Sequence, residues 1–307
     1  MNDNCSMSSR FSIAVSLLSV CLAVPAWADF QAGVDTANHG DFAPAVRELR
    51  LLAEQGNVKA QYKLGWLYAE GKGIPKDYVQ ARQWYERAAD QGYAPAQSNL
   101  GLLFERGHGV SQDYTKAREW YEKSAAQGNA AAQSNLGILY HQGHGVPQDY
   151  IKARQWYEKA ATQGQVEALY NLGVMYDKGH GVSQDYLQAR QWYEKAAIEG
   201  YSAAQTNLGS MYLNGDGVPQ DYKEGLRWMR LAADQGDAFA QTKLGVSYEY
   251  GRGVSQDYVE AHKWYNLSAA NGKKEAAMLR DGLAKQMTTA QIAEAQKLAR
   301  EWKPKWK

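Results

Sequence analysis

The stretch QGHGVPQDY at residues 142–150 returns along the chain in a fixed frame. It reads RGHGVSQDY 36 residues earlier and KGHGVSQDY 36 residues later. EGKGIPKDY, NGDGVPQDY and YGRGVSQDY stand at residues 70–78, 214–222 and 250–258. Six copies at one spacing define a repeat protein, and each motif has to be read inside that frame. A unit this short cannot bury a core alone, so the copies must stack on one another.

One copy shows what the unit is. In AQYKLGWLYAEG the apolar Ala60, Leu64, Leu67 and Tyr68 recur three and four residues apart, the face of a helix. Gly65 interrupts that face and returns at 101, 137, 173, 209 and 245. A mid-helix glycine costs roughly 1 kcal/mol against alanine, so its retention in every copy predicts close approach of a neighbouring helix. Gly71 sits where a helix ends in the left-handed conformation. Asp77, with Asp113, Asp149, Asp185, Asp221 and Asp257, stands before a second periodic stretch, as an N-cap does. Tyr78, Ala81, Trp84, Tyr85, Ala88 and Ala89 mark the buried face of that second helix, and Gly92 closes it.

The fold class that follows is all-α, a right-handed solenoid of antiparallel helix-turn-helix units. Residues 60–275 hold six full repeats starting at Ala60, Ala96, Ala132, Ala168, Ala204 and Ala240. Residues 29–59 form a degenerate first unit, and residues 276–307 form capping helices and a tail. Thr288 and Gln291 fit a capping box before an amphipathic last helix, and the terminal KPKWK is expected to fray.

Residues 1–28 read as a signal peptide. Arg10 gives the positive start, Phe11 to Val24 the apolar stretch and Ala26-Trp27-Ala28 the cleavage site. The expected product is an exported protein, periplasmic or secreted. Both cysteines, Cys5 and Cys21, fall inside that segment, so disulfide, thiol and cysteine–metal chemistry drop out of the remainder. The net charge of +1 lacks the basic field that drives binding to nucleic acid.

With these residues in view, AQSNLGLLFERGHGVSQDYTKAREWYEKSAAQGN resembles the Sel-one-like repeat, a relative of the tetratricopeptide repeat. Leu100, Gly101, Gly107, Gly109, Asp113, Tyr114, Ala117, Trp120, Tyr121 and Gly128 carry the likeness. The resemblance implies an α-solenoid that serves as an adaptor for a protein or peptide partner. It also implies two rivals. One is an envelope hydrolase acting on β-lactams or peptidoglycan, although the relatives linked to β-lactams carry a cysteine pair in each repeat. The other is a secreted virulence factor that binds a host protein.

Reaction chemistry is not legible in the motifs. The glycine loops lack the Gly-Lys-Ser/Thr of a phosphate-binding loop, and no Gly-x-Ser-x-Gly elbow occurs. Arg82, Arg118, Arg154 and Arg190 precede Glu86, Glu122, Glu158 and Glu194 by four residues, the spacing of ordinary helix-face ion pairs. His108, His144 and His180 form a ladder at a loop position where Lys72, Asp216 and Arg252 also occur, as a solvated tip would allow. Successive rungs lie farther apart than a metal of about 2.1 Å bond length can bridge. His141 beside His144 gives only two ligands. No catalytic residue, cofactor or metal site is assigned.

Binding is expected on the concave face, which by the resemblance is lined by the first helix of each pair. The lining positions then include Tyr62, Trp66 and Glu70; Ser98, Leu102 and Arg106; Ser134, Ile138 and His141; Tyr170, Val174 and Lys178; Thr206 and Asn214; and Tyr250. This mixture of hydroxyls, aliphatic groups and single charges suits an extended peptide.

Overall fold

The computed structural model describes residues 42–305, so the expected signal segment 1–28, residues 29–41 and the last two residues lie outside the description. Fifteen helices and no strand occur among the described residues. Helix α1 (Phe42–Glu54) is the second helix of the degenerate unit. Six hairpins follow: α2 (Val58–Glu70) with α3 (Tyr78–Asp90), α4 (Ala94–Arg106) with α5 (Tyr114–Ala126), α6 (Ala130–Gln142) with α7 (Tyr150–Ala161), α8 (Val166–Lys178) with α9 (Tyr186–Ile198), α10 (Ser202–Asn214) with α11 (Tyr222–Asp234), and α12 (Ala238–Tyr250) with α13 (Tyr258–Ala270). Helices α14 (Lys274–Ala284) and α15 (Thr289–Glu301) pack on α13 and close the stack. The expected helical solenoid is the architecture found.

Local chemistry sets each boundary. Gly71, Gly107, Gly143, Gly179, Gly215 and Gly251 end the first helices with φ of 65–84°. In the first hairpin the Gly71 N–H donates to the Leu67 carbonyl at 2.9 Å. The six aspartates cap the second helices as expected; Asp77 accepts from the Val79 and Gln80 amides at 2.9 and 3.0 Å. Thr288 and Gln291 form the capping box of α15. The tail departs from expectation. The Lys305 N–H donates to the Asp234 carbonyl at 2.7 Å and its Nζ lies 3.1 Å from the Asp234 carboxylate, so the chain is fastened to α11 up to that residue.

The mid-helix glycine does what its recurrence predicted. A Cβ at Gly137 would lie 2.5 Å from both Cδ1 and Cε1 of Tyr157 on the partner helix. Tyr85, Tyr121, Tyr193 and Tyr265 sit in the same way on Gly65, Gly101, Gly173 and Gly245. These rings are buried, so each hairpin closes around one tyrosine laid on bare backbone.

The loops join one repeat to the next. Gly145 has φ of 68°, and a Cβ there would come within 2.8 Å of Tyr114, the first residue of the preceding second helix. His108, His144 and His180 then stack on Tyr78, Tyr114 and Tyr150, with ring centroids 4.3, 4.5 and 4.6 Å apart. The histidine ladder is therefore half-buried packing between repeats and not a set of solvated tips.

A buried amide ladder strengthens the same joints. The Gln97 side chain donates through Nε2 to the Ala89 carbonyl (3.1 Å) in the last turn of α3 and accepts through Oε1 from Gln127 (2.8 Å) at the end of α5. Gln61, Gln133, Gln205 and Gln241 repeat the arrangement with Gln91, Gln163, Gln235 and Asn271. In the fourth repeat both partners change together, to Leu169 and Glu199, and the ladder breaks.

The tryptophans divide. Trp264 is 1% exposed, while Trp120, Trp156 and Trp192 are only half-buried, against the expectation of a fully buried position. Lysine three residues on covers the outer face of each ring: Lys123 over Trp120 at 3.9 Å, Lys159 over Trp156 at 4.2 Å and Lys195 over Trp192 at 4.2 Å. One buried ionisable group stands apart. His262 is 3% exposed and its Nδ1 has no hydrogen-bond partner. Burial, and then the nearby Arg280, hold its imidazole below the ordinary value, with Asp281 opposing.

Four outcomes follow, each read by thermal or urea unfolding. Gly137→Ala should destabilise by about 1–3 kcal/mol through overpacking on Tyr157. Gly282→Ala, where nothing lies within 4 Å, should instead stabilise by up to about 1 kcal/mol. Trp264→Ala should cost about 3–5 kcal/mol and Trp120→Ala roughly half of that. Unfolded histidine takes up its proton near pH 6.5, whereas folded His262 resists it. Its contribution is complete above about pH 6.5 and is lost as pH falls from there through the lowered folded value. The melting midpoint should drop between about pH 7.5 and 5.5, and by less in His262→Gln.

Candidate functional site

The predicted lining residues come from the first helix of each hairpin, with side chains on the turns that glycine ends. The structure gathers some of them and separates others. Tyr62, Trp66 and Glu70 of α2 meet Leu102 and Arg106 of α4 around one open groove of ≈ 310 Å³, floored by Tyr85 and Leu103 and edged by Tyr78, Asn99 and His108. Five predicted positions from two repeats thus face one space.

The groove is held by its aromatic frame. Lys63 and Lys72 lie 4.5 and 4.6 Å from the Trp66 ring centre and fix its plane. Tyr62 packs at 5.8 Å from Tyr85 and edge-on at 5.3 Å from Tyr93. Burial, followed by Tyr93, raises the Tyr62 hydroxyl above its ordinary pKa, and a hydrogen bond with Asn99 opposes this. The hydroxyl therefore stays protonated and able to donate. Glu70 and Arg106, both exposed, supply one charge of each sign.

A second groove of ≈ 400 Å³ lies between α10 and α12. Ser210, Leu213, Asn214, Tyr222, Phe239, Lys243, Val246 and Arg252 are among its lining residues. From the expected lining turns Ser210, Leu213, Asn214 and Val246 belong here. Phe239, 42% exposed with Lys243 at 5.0 Å from its ring, was not predicted. It stands one residue before the starting alanine of its repeat, outside the predicted lining positions.

Three predicted contacts need correction. Ser98, Ser134 and Thr206 are 6%, 2% and 7% exposed and have almost no surface to offer a partner. Thr242, at the same position of the sixth repeat, shows the reason. Its hydroxyl lies 2.7 Å from that of Ser268 on the second helix of its own hairpin, so this position faces inward. Ile138 and Val174 are half-buried against the core. Tyr170 is wedged 5.8 Å from Tyr193 and 5.2 Å from Tyr201. Lys178 pairs with Asp177 at 3.0 Å, and Tyr250 is 59% exposed with Arg252 over its ring at 5.4 Å.

His141 is half-buried near the end of α6, and its nearest imidazole is His180 of the next repeat, not His144. The two ring nitrogens lie 3.1 Å apart. Burial, and then His180, hold the His141 imidazole below its ordinary value. The ion pairs read from the sequence are present; Arg118 and Glu122, for example, meet at 3.3 Å. No group of three or more metal-ligating side chains occurs among the described residues, and none of their helices is long and apolar enough to cross a membrane.

Comparison with known proteins identifies the unit. The Sel1 repeat matches residues 58–93, 94–129, 130–165, 166–201, 202–237 and 238–273 in unbroken succession, a frame that starts two residues before the alanines used above. The crystal structure of a Sel1 repeat protein from Oxalobacter formigenes is 34% identical, with a TM-score of 0.72 over 78% of this chain and 96% of that one. A protective antigen of uropathogenic Escherichia coli strains, c5321, which displays an SLR fold, is 33% identical. Its TM-score is 0.55 over 89% of this chain and 68% of that one. None of the curated proteins matches the chain. Six successive units, the hairpin geometry and these identities establish that the chain belongs to the Sel1 repeat family, whose repeats are scaffolds for protein interaction.

Proposed function

We propose that this chain is a non-enzymatic adaptor of the bacterial cell envelope, exported to the periplasm, that binds an extended segment of a partner protein along the first helices of its repeats. The observation that carries the reading is the convergence of Tyr62, Trp66 and Glu70 from one repeat with Leu102 and Arg106 from the next on a single groove. An aromatic and aliphatic floor with one charge of each sign at the rim fits a peptide chain, which offers apolar side chains and backbone polar groups together. A phosphate-rich polymer would call for a basic field that the net charge of +1 does not provide. Export rests on the apolar stretch Phe11 to Val24 and the Ala26-Trp27-Ala28 site.

The test is cross-linking in intact cells followed by capture of the tagged chain, beside Trp66→Ala/Leu102→Ala. Both side chains are partly exposed, so the double variant should fold, which its melting curve verifies. The expected result is a partner captured by the parent chain and at least tenfold depleted in the variant, since truncating a central aromatic anchor costs ~1–2 kcal/mol or more. Equal capture by a folded variant removes this groove from the binding surface. Osmotic-shock fractionation should release a chain beginning at Asp29; recovery only with the cytoplasmic contents refutes the envelope assignment.

A further inference from the structure

In the second, fourth and sixth repeats, the residue two before the glycine that ends the first helix closes on its own hairpin. Tyr121 donates to Glu105 at 2.7 Å, Tyr193 to Asp177 at 3.4 Å and Tyr265 to Glu249 at 2.6 Å. The third repeat has His141 at this place, and it turns the other way, across the junction to the fourth repeat. Its Nε2 lies 3.1 Å from Nδ1 of His180. The corresponding pairs at the other junctions are Ala69 with His108, Glu105 with His144, Asp177 with Asp216, and Leu213 with Arg252. Only this junction carries an imidazole on both sides.

We propose that His141 Nε2 and His180 Nδ1 form a two-imidazole site for a divalent transition-metal ion of the Cu²⁺, Ni²⁺ and Zn²⁺ group, with solvent completing its coordination. The spacing is the first argument. Two nitrogens each about 2.0–2.1 Å from a metal stand about 2.9 Å apart in a square-planar set and about 3.3 Å apart in a tetrahedral one. The observed separation falls between these, so an ion enters with a small rotation of the rings. The donor type is the second. Imidazole nitrogen suits these ions, whereas Mg²⁺ and Ca²⁺ take oxygen ligands, and Cu²⁺ ranks first in affinity.

Preorganisation is the third argument. Tyr150 stacks on His180 at 4.6 Å and meets His141 edge-on at 5.1 Å, walling one side of the pair. The His141 carbonyl accepts from Gln148 at 2.8 Å, and the His180 N–H donates to the Met175 carbonyl at 2.9 Å. Both ligand backbones are thereby fixed before any ion arrives. One ligand belongs to α6 and the other to the loop between α8 and α9, so a bound ion fastens the third repeat to the fourth.

The probe is Cu²⁺, titrated into the full exported chain in excess glycine as a weak competing chelator and followed by calorimetry and by electron paramagnetic resonance. The substitutions use residues that other repeats carry at the same places, His141→Leu as in Leu213 and His180→Arg as in Arg252, so that folding is kept. His144→Asp, which copies the Asp216 of the fifth repeat, is the control. Expected are one ion per chain, nitrogen hyperfine structure from two imidazoles, and a melting midpoint raised by the ion. Each of His141→Leu and His180→Arg should weaken binding by more than the ~10–100-fold that loss of a mere supporting contact causes, and His144→Asp should leave it unchanged. The proposal is overturned if the parent chain outcompetes no glycine for the ion, if both substitutions bind like the parent, or if His144→Asp removes the signal.

Discussion

Everything in this fold depends on how closely the two helices of a hairpin approach. The approach is set by a tyrosine ring lying on a glycine backbone, with no Cβ between them, and the geometry recurs in five of the six repeats. The fifth repeat shows that the distance itself is what is kept. Its tyrosine is replaced by Met229, and a second glycine, Gly225, enters the partner helix with its carbonyl 3.0 Å from where a Gly209 Cβ would be. The ring is gone and the helices still meet backbone to backbone. Glycine's penalty in helix propensity, roughly 1 kcal/mol, is small beside the burial of a whole aromatic ring.

Stacking the hairpins poses a different physical problem. Each helix end presents carbonyls that lack partners within the helix, and stacking takes them away from water. The buried glutamines answer this with one side chain that serves two helix ends at once, the preceding repeat's and its own. Such an amide is stabilising only when both its donor and its acceptor are used, so the two positions change together. In the fourth repeat Leu169 takes the buried place and Glu199 is solvent-exposed, as Gln91, Gln127 and Gln163 are. A change at the second position alone would have left the buried amide half-satisfied.

The sequence made the repeat, the hairpin, the aspartate caps and the glycine turns legible because each is a local rule that recurs in register. Asp77 caps α3 through its own neighbours, and nothing distant can change that. What escaped was decided between helices and between repeats. Ser98 and Ser134 look like lining residues by analogy with related solenoids, yet that turn faces the partner helix. Trp120 shares its register position with Trp264, yet Trp264, on the helix α13 against which α14 and α15 pack, is 1% exposed while Trp120 is only half-buried. The amide ladder is present in the sequence as a recurring Gln after the starting alanine, a signal whose meaning appears only once the helix ends are brought together. The meeting of His141 and His180, 39 residues apart, has no such signal, because it depends on the rotation of one hairpin against the next. Of the candidate groove, five residues were foreseen; Phe239 and the cationic pair Lys243 and Arg252 of the second groove were not, since they lie outside the predicted helix turns.

The loop glycines have a mechanical consequence. Gly109, Gly145, Gly181, Gly217 and Gly253 each rest on the first residue of the preceding second helix, with no side chain of their own at the contact. Each joint thus shares one contact without a side chain on the loop side, and the joints are arranged end to end. Elastic elements in series add their compliances. A rotation too slight to disturb any one contact accumulates along the stack into a large displacement of its ends. The chain can therefore change its pitch as a spring does, by sharing the strain among all its turns, while every helix stays intact.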